Sequence, residues 1–333
     1  DDRDGDGDDP DGSDGVEFVG RESELDSLKR MVDAARAGAG GVVDVVGEPG
    51  IGKSSLVTQL IQTNDDLVVL RASGGLYSRA TPYFAVTNML RQYVGIDRSA
   101  GAAVAGRLLS GWVLEHTPEL VDLLPLLAIA FSADVPTTDT VEQIDPANRA
   151  GKIREVVVDM LTIASPGPTA VIVDDAHLLD EASEELFAAL ARRIVTRPWI
   201  LIGLRRVDTE SFASRAENSV ELSVGPLGED EIRDLAYAAL RRGLLTDEDD
   251  IQGLLDRGVT NPMFLLELIR AGLQEGASTP DSLESLITAR IDMLSASDRL
   301  LLREAAVLGS VIDPVLLSEA TDDIELRRRD RWK

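Results

Sequence analysis

The sequence predicts an α/β fold, in which a parallel sheet covered by helices on both faces is followed by an all-helical C-terminal part. Three observations predict it. Five short apolar runs, rich in β-branched residues, are separated by stretches of helical periodicity, the pattern of strands joined by crossover helices. A glycine-rich turn stands between the first of these runs and the helix behind it. After Pro226 the strand signals stop, and helical patterns continue to the end.

Taken in order, residues 1–15 contain only Asp, Gly, Pro, Ser and Arg, a composition that cannot bury apolar surface and is expected to be a disordered acidic linker. From Glu22, the residues Leu25, Leu28, Val32 and Ala35 recur at helical spacing with charged residues between them, predicting a short amphipathic helix. Gly41–Val46 is the first strand, and Lys53–Ile61 is the helix after the turn. Further strands are expected at Leu67–Arg71, Ala170–Val173, Trp199–Leu204 and Val220–Val224. The long insertion 76–165 reads as helices Tyr83–Val94, Ala102–Glu115, Leu120–Phe131 and Arg149–Ala164. Gly228 and Glu229 open the next helical part, and Pro280 marks a second boundary before a stripe of Leu283, Leu286, Ile287, Ile291 and Leu294. Solenoid-period repeats are absent from the sequence.

A chain of 333 residues with 44% hydrophobic content has room for two or three compact units. Its formal net charge is −26, from 59 acidic against 33 basic residues, so its surface repels polyanions. Residues 1–15 hold eight Asp against one Arg, a net −7, which leaves −19 on residues 16–333. Direct nucleic-acid binding by this segment is therefore not expected. The absence of cysteine excludes disulfides, thiolate metal sites and cysteine nucleophiles. The richest apolar stretch, Leu120–Phe131, is interrupted by Asp122 and Pro125 and falls short of the roughly 18 residues of a membrane span. The N-terminus is acidic where a secretory signal is basic and then apolar, so the cytoplasm is the expected location. A start without Met on an Asp/Gly stretch gives the chain the look of a piece of something longer.

Gly47-Glu48-Pro49-Gly50-Ile51-Gly52-Lys53-Ser54 fits all eight positions of the phosphate-binding P-loop, between a predicted strand and a predicted helix. Glycines let the backbone curl until successive N–H groups face phosphate oxygens, and the helix start adds its positive dipole end. Lys53 is placed to bridge the β- and γ-phosphates, and the Ser54 hydroxyl to ligate magnesium, with Ser55 next in the nucleotide-binding set. Downstream, the apolar strand Ala170–Val173 ends in Asp174-Asp175. If that strand lies beside the P-loop strand, Asp174 holds the magnesium shell, directly or through water, and Asp175 orients or deprotonates the attacking water. A solvated turn or a helix cap is the alternative for an Asp-Asp pair taken alone. His177, beside the acids, is either a contact to the γ-phosphate region or a structural hydrogen-bonding residue.

Together, Phe18-Val19-Gly20-Arg21-Glu22, the P-loop, Val173-Asp174-Asp175-Ala176-His177 and Thr260-Asn261-Pro262-Met263-Phe264-Leu265-Leu266 resemble the STAND branch of the AAA+ P-loop ATPases, over roughly residues 16–320. The resemblance implies a P-loop nucleotide-binding domain at 16–225, a helical lid at 226–279 and the truncated start of a winged-helix region at 280–333. It implies ATP or ADP with Mg2+ as ligands, with Phe18, Val19 and Arg21 against adenine and ribose and Pro262 packing on the nucleotide from the lid. Arg206, or its neighbour Arg205, falls where the family has a sensor arginine directed at the γ-phosphate. Thr260 stands where the family usually has glycine. ATP over GTP rests on the resemblance alone.

Such modules work as slowly hydrolysing regulatory switches, often fused to a class III nucleotide cyclase, a transcription factor or a kinase, and they control an output domain or self-assembly. No output domain is visible in this sequence. A replication-initiator or DNA-remodelling ATPase is the alternative, opposed by the net charge and by Asp174-Asp175 where initiators usually carry Asp-Glu. A nucleotide-binding scaffold without hydrolysis would show the same binding motifs.

Overall fold

The computed structural model describes residues 18–244, 248–256, 258–271, 285, 287–288, 291, 294–308 and 317–318. The expected linker at 1–15 lies outside them. Two compact units make up the chain: Asp1–Asp26 with Glu48–Thr63 and Val224–Met293, and Ser27–Gly47 with Asn64–Ser223 and Leu294–Lys333.

The second unit holds the sheet. Its strands are β1 (Gly41–Val46), β2 (Val68–Ser73), β3 (Thr169–Asp174), β4 (Trp199–Arg205) and β5 (Ser219–Ser223). All pairs are parallel, in the order β2-β3-β4-β1-β5. The three inner strands read as apolar runs because both of their faces are covered: β4 is buried at every residue, and β3 at all but Asp174. The outer strands β2 and β5 keep exposed residues, as edges do. The Asp174 strand does not lie beside the P-loop strand, since β4 stands between β3 and β1; Asp174 nevertheless ends its strand at the same carboxyl edge of the sheet as Val46. Strand order depends on which strands can tolerate burial on both sides, and Trp-Ile-Leu-Ile-Gly-Leu-Arg is suited to an inner place.

Helix α1 (Glu22–Arg36) buries Leu28, Val32 and Ala35, three members of its predicted stripe. Between β2 and β3 come α3 (Phe84–Tyr93), α4 (Ala102–His116), α5 (Leu124–Ala130), α6 (Asp139–Glu142) and α7 (Pro146–Ala164), after α2 (Lys53–Gln62) in the first unit. The single helix expected at Leu120–Phe131 is two elements, a 3-10 turn over Pro118–Leu123 and then α5. Pro125, which has no N–H to donate, sits in the first turn of α5, so the helix restarts there. Helix α7 starts at Pro146, earlier than the expected Arg149, because Asp145 caps it by accepting from Ala147 N at 2.8 Å.

After β3 follow α8 (Glu181–Arg193) and, between β4 and β5, α9 (Phe212–Arg215). Buried Asp180 caps α8 through Ser183 N at 2.9 Å and also accepts from Tyr83 N at 2.8 Å, so one carboxylate ties the start of α3 to the start of α8. Arg91, also buried, donates to the carbonyls of Phe131 at 2.8 Å and Ala100 at 3.0 Å, which holds the insertion's helices together. Gly203 of β4 lets α9 approach, since a Cβ there would lie 2.8 Å from Ala213 Cβ.

In the first unit, α2 is joined by α10 (Glu229–Arg241), α11 (Glu248–Leu255) and α12 (Pro262–Ala271). Leu227, Ile232, Leu235, Ile251, Leu254 and Leu265 are among the residues of its core. Three acidic residues in the first turn of α10 suit the helix dipole, and Glu231 accepts from Gly228 N at 2.7 Å as the start is capped. Within the region 280–333 lies α13 (Ala296–Leu308). In the expected stripe, Leu283 and Leu286 lie outside the described residues, while Ile287, Ile291 and Leu294 are exposed.

Candidate functional site

The phosphate loop begins where β1 ends. Gly47 N donates to Arg205 O at 3.4 Å, and Ile51 N closes a turn onto Glu48 O at 3.3 Å. Gly50 and Gly52 have φ of +71° and +102°, a backbone conformation that side chains disfavour, so the two positions call for glycine. Lys53 is the first residue of α2, with Gly52 at the N-cap. Lys53 Nζ folds back to Glu48 O at 2.9 Å. Glycine curvature, a helix N-terminus of ten residues and a lysine over the loop form the donor set that a polyphosphate requires.

Within the same unit, the segment Phe18 to Arg21 and the start of α12 both meet this loop. Gly20 and Arg21 both have positive φ, +71° and +68°. The Arg21 side chain is buried, donating through Nη2 to Ile51 O at 3.1 Å and through Nη1 to Glu24 at 3.1 Å. Burial alone would raise the Glu24 pKa, but hydrogen bonds from Ser23 and Arg21 outweigh it and hold the carboxyl below its ordinary value. Val19 packs against the core of α10 to α12, and Phe18 is half-buried. Pro262 opens α12, and Asn261 before it donates through Nδ2 to Pro49 O at 3.0 Å. The resemblance places Arg21 against the nucleoside; in the structure its guanidinium also ties the loop at Ile51 O to Glu24. Asn261 was part of the quoted segment but had no role assigned, and its pairing with Pro49 spans 212 residues of sequence.

In the unit that contains the sheet, Val46, Asp174 and Arg205 end their strands at the same, carboxyl, edge. Asp174 is half-buried and level with Ser73 of β2. Asp175 is exposed, has φ +46°, and does not cap the 3-10 turn Ala176–Leu178 that follows. His177 is half-buried in that turn. Gly74 braces this loop. Its N–H donates to Asp174 O at 2.9 Å, and a Cβ on it would stand 2.4 Å from Asp175 O. Arg205 is buried and held by Asp44 of β1, with Nε 3.0 Å from both carboxylate oxygens and Nη2 2.8 Å from Oδ2. Arg206 is exposed. Asp44 was missed at the level of sequence, although a carboxylate in the middle of Val-Val-Asp-Val-Val signals a buried partner.

Among the described residues, no cluster of three or more His, Cys, Asp or Glu side chains could hold a metal ion. The hydroxyl of Ser54 and the carboxylate of Asp174 are each a hard oxygen donor of the kind magnesium takes. No helix among the described residues is long and apolar enough to cross a membrane.

The family model for the AAA ATPase domain matches residues 17–202, more than half of the chain. An uncharacterized protein of Rhizobium meliloti (strain 1021) is 27% identical over 333 aligned positions, covering 93% of this chain. The chain spans 31% of that protein's length. Among solved structures, the Aeropyrum pernix ORC1 protein in complex with DNA aligns at 16% identity and a TM-score of 0.49, over 92% of this chain and 78% of the other. Cdc6p of Pyrobaculum aerophilum aligns at 13% and 0.47, over 86% and 75%. At those scores they add nothing to what the strand order establishes.

Proposed function

This chain belongs to the AAA ATPase domain family, and we propose that it binds ATP with magnesium on the loop Gly47–Ser54, hydrolyses it slowly and serves as a regulatory switch within a longer cytoplasmic protein. The observation that supports this best is the loop itself: positive-φ glycines at 50 and 52, Lys53 folded over it, and its backbone held by Arg21 and by the start of α12 within one compact unit. A loop gripped by a helical segment suits a switch, because nucleotide occupancy and the helices' position then bias each other.

The finer roles follow the sequence motifs. Lys53 binds the β- and γ-phosphates, Ser54 and Asp174 are the magnesium ligands, Asp175 positions the attacking water, and Arg206 meets charge developing on the γ-phosphate. Bound magnesium would neutralise phosphate charge and polarise the γ-phosphoryl group. Assignment to the STAND branch is supported by the motif order Val19 to Glu22, P-loop, Asp174-Asp175, Asn261-Pro262, and a fused output domain by the much greater length of the Rhizobium relative; self-association comes with the family resemblance alone.

Titration calorimetry with ATP·Mg tests the reading. Wild type is expected to bind ATP in preference to GTP, Lys53→Ala to lose binding, and Asp175→Asn to bind while single-turnover hydrolysis slows by about a hundredfold. Equal ATP affinity in Lys53→Ala would remove the loop as the site. Equal hydrolysis in Asp175→Asn would leave a binding module in which that carboxylate has no catalytic part.

A further inference from the structure

We propose that the phosphate loop is held in its binding conformation from its carbonyl side, and that Asn261 and Arg21 are the positioning residues through which α12 and the N-terminal segment set affinity for nucleotide phosphates. The inference rests on the reading that this loop binds nucleotide.

Four successive carbonyls of the loop each receive a donor. Glu48 O takes Lys53 Nζ at 2.9 Å, Pro49 O takes Asn261 Nδ2 at 3.0 Å, Gly50 O takes Met263 N at 3.2 Å, and Ile51 O takes Arg21 Nη2 at 3.1 Å. In a planar trans peptide, the N–H points opposite to the C=O. Drawing the carbonyls of Pro49 and Ile51 toward α12 and Arg21 therefore turns the N–H groups of Gly50 and Gly52 the other way, as an anion cradle needs. Two of the four donors come from the start of α12 and one from the segment before α1, so half of the arrangement depends on where α12 sits.

The contact is close as well as polar. A Cβ on Gly50 would lie 2.6 Å from Met263 Cβ, so the missing side chain is what admits α12 to the loop. Asn261 does two things with one amide: Oδ1 caps α12 by accepting from Met263 N at 3.0 Å and Phe264 N at 3.2 Å, while Nδ2 reaches Pro49. Arg21 is fixed in turn by Glu24 and, through its backbone N–H, by Glu231 of α10 at 3.4 Å, the carboxylate that also caps α10. Helix α12 cannot move away without releasing the carbonyls of Pro49 and Gly50. By linkage, whatever phosphate binding gains from the turned peptides, it returns as a preference for the docked α12.

The two jobs of Asn261 can be separated. Asp and Ser both keep an oxygen that caps α12, but neither donates to Pro49 O as the amide does, and Ser adds no charge near a phosphate. Titration of ATP·Mg and of ADP, with thermal melts alongside, is the measurement. Asn261→Ser and Asn261→Asp are expected to melt close to wild type and to bind both nucleotides about five- to tenfold more weakly, the effect of one lost hydrogen bond. Arg21→Lys, which keeps a donor for Ile51 O, should retain more affinity than Arg21→Gln. If wild type binds in a Lys53-dependent way and both Asn261 variants bind as tightly, the loop holds its own shape and the proposal is overturned. A loss of affinity that appears only with an equal loss of melting temperature assigns Asn261 to capping and overturns it too. A wild type that binds no ATP, or a Lys53→Ala variant that binds as well as wild type, overturns the nucleotide reading itself, and this inference with it.

Discussion

Asp44, in the middle of β1, holds Arg205, at the end of β4, through a buried two-pronged ion pair, with Arg205 Nε 3.0 Å from each carboxylate oxygen. Asp44 is 1% and Arg205 8% exposed, so neither charge has water to fall back on. Removing Arg205 leaves the Asp44 carboxylate buried without its guanidinium, whereas removing Asp44 leaves Arg205 with Glu221 at 3.3 Å and the Thr209 carbonyl. Arg205→Ala is expected to destabilise by about 3–5 kcal/mol and Asp44→Ala by less, read by chemical or thermal unfolding. The paired exchange Asp44→Leu with Arg205→Met should recover most of that loss, because apolar groups of similar size carry no desolvation penalty.

The same pair separates two adjacent arginines. Arg205 is engaged in the fold, whereas Arg206 is exposed beyond the strand end. Arg206→Ala should unfold with wild type within about 0.5 kcal/mol, the usual effect of a surface change, yet slow single-turnover ATP hydrolysis by about tenfold or more. Normal hydrolysis in that variant would remove Arg206 from the mechanism.

Gly74 determines how closely the end of β2 approaches the loop bearing the acidic pair. Its missing Cβ would stand 2.4 Å from Asp175 O and 2.8 Å from the Leu178 carbonyl carbon, both backbone atoms that cannot simply swing aside. Gly74→Ala is expected to cost about 1–3 kcal/mol of stability and to displace Asp174 and Asp175. Measured together, unfolding and hydrolysis should both fall in this variant, while ATP affinity, which the loop around Lys53 supplies, should change less.

Legibility in the sequence followed the range of the interactions. The five strands and the helix after the P-loop were readable because apolar periodicity and glycine placement are local properties. Boundaries slipped where a cap decided them, as Asp145 does for α7, or where Pro125 divided one apolar stretch into two elements. That Arg205 is buried and paired while Arg206 is exposed was not readable, since both sit at a strand end; the pairing is with Asp44, 161 residues away. The bonds of Arg21 to Ile51 O and Glu24 were not readable either, since its motif pointed only toward a nucleoside.

By itself, then, the sequence determined the α/β class, the curl of the loop Gly47–Ser54, and the run of apolar residues that carries Asp174 to a strand end. These depend on φ preferences and on burial periods of two and 3.6 residues, which neighbouring residues set among themselves. Only the tertiary structure decided that β4 separates β3 from β1, that Arg205 belongs to Asp44, and that Asn261 and Arg21 grip the carbonyls of the phosphate loop. Each of those is a pairing of polar groups or strands far apart in the chain, and it is fixed by which buried donors and acceptors must satisfy one another once the core has closed.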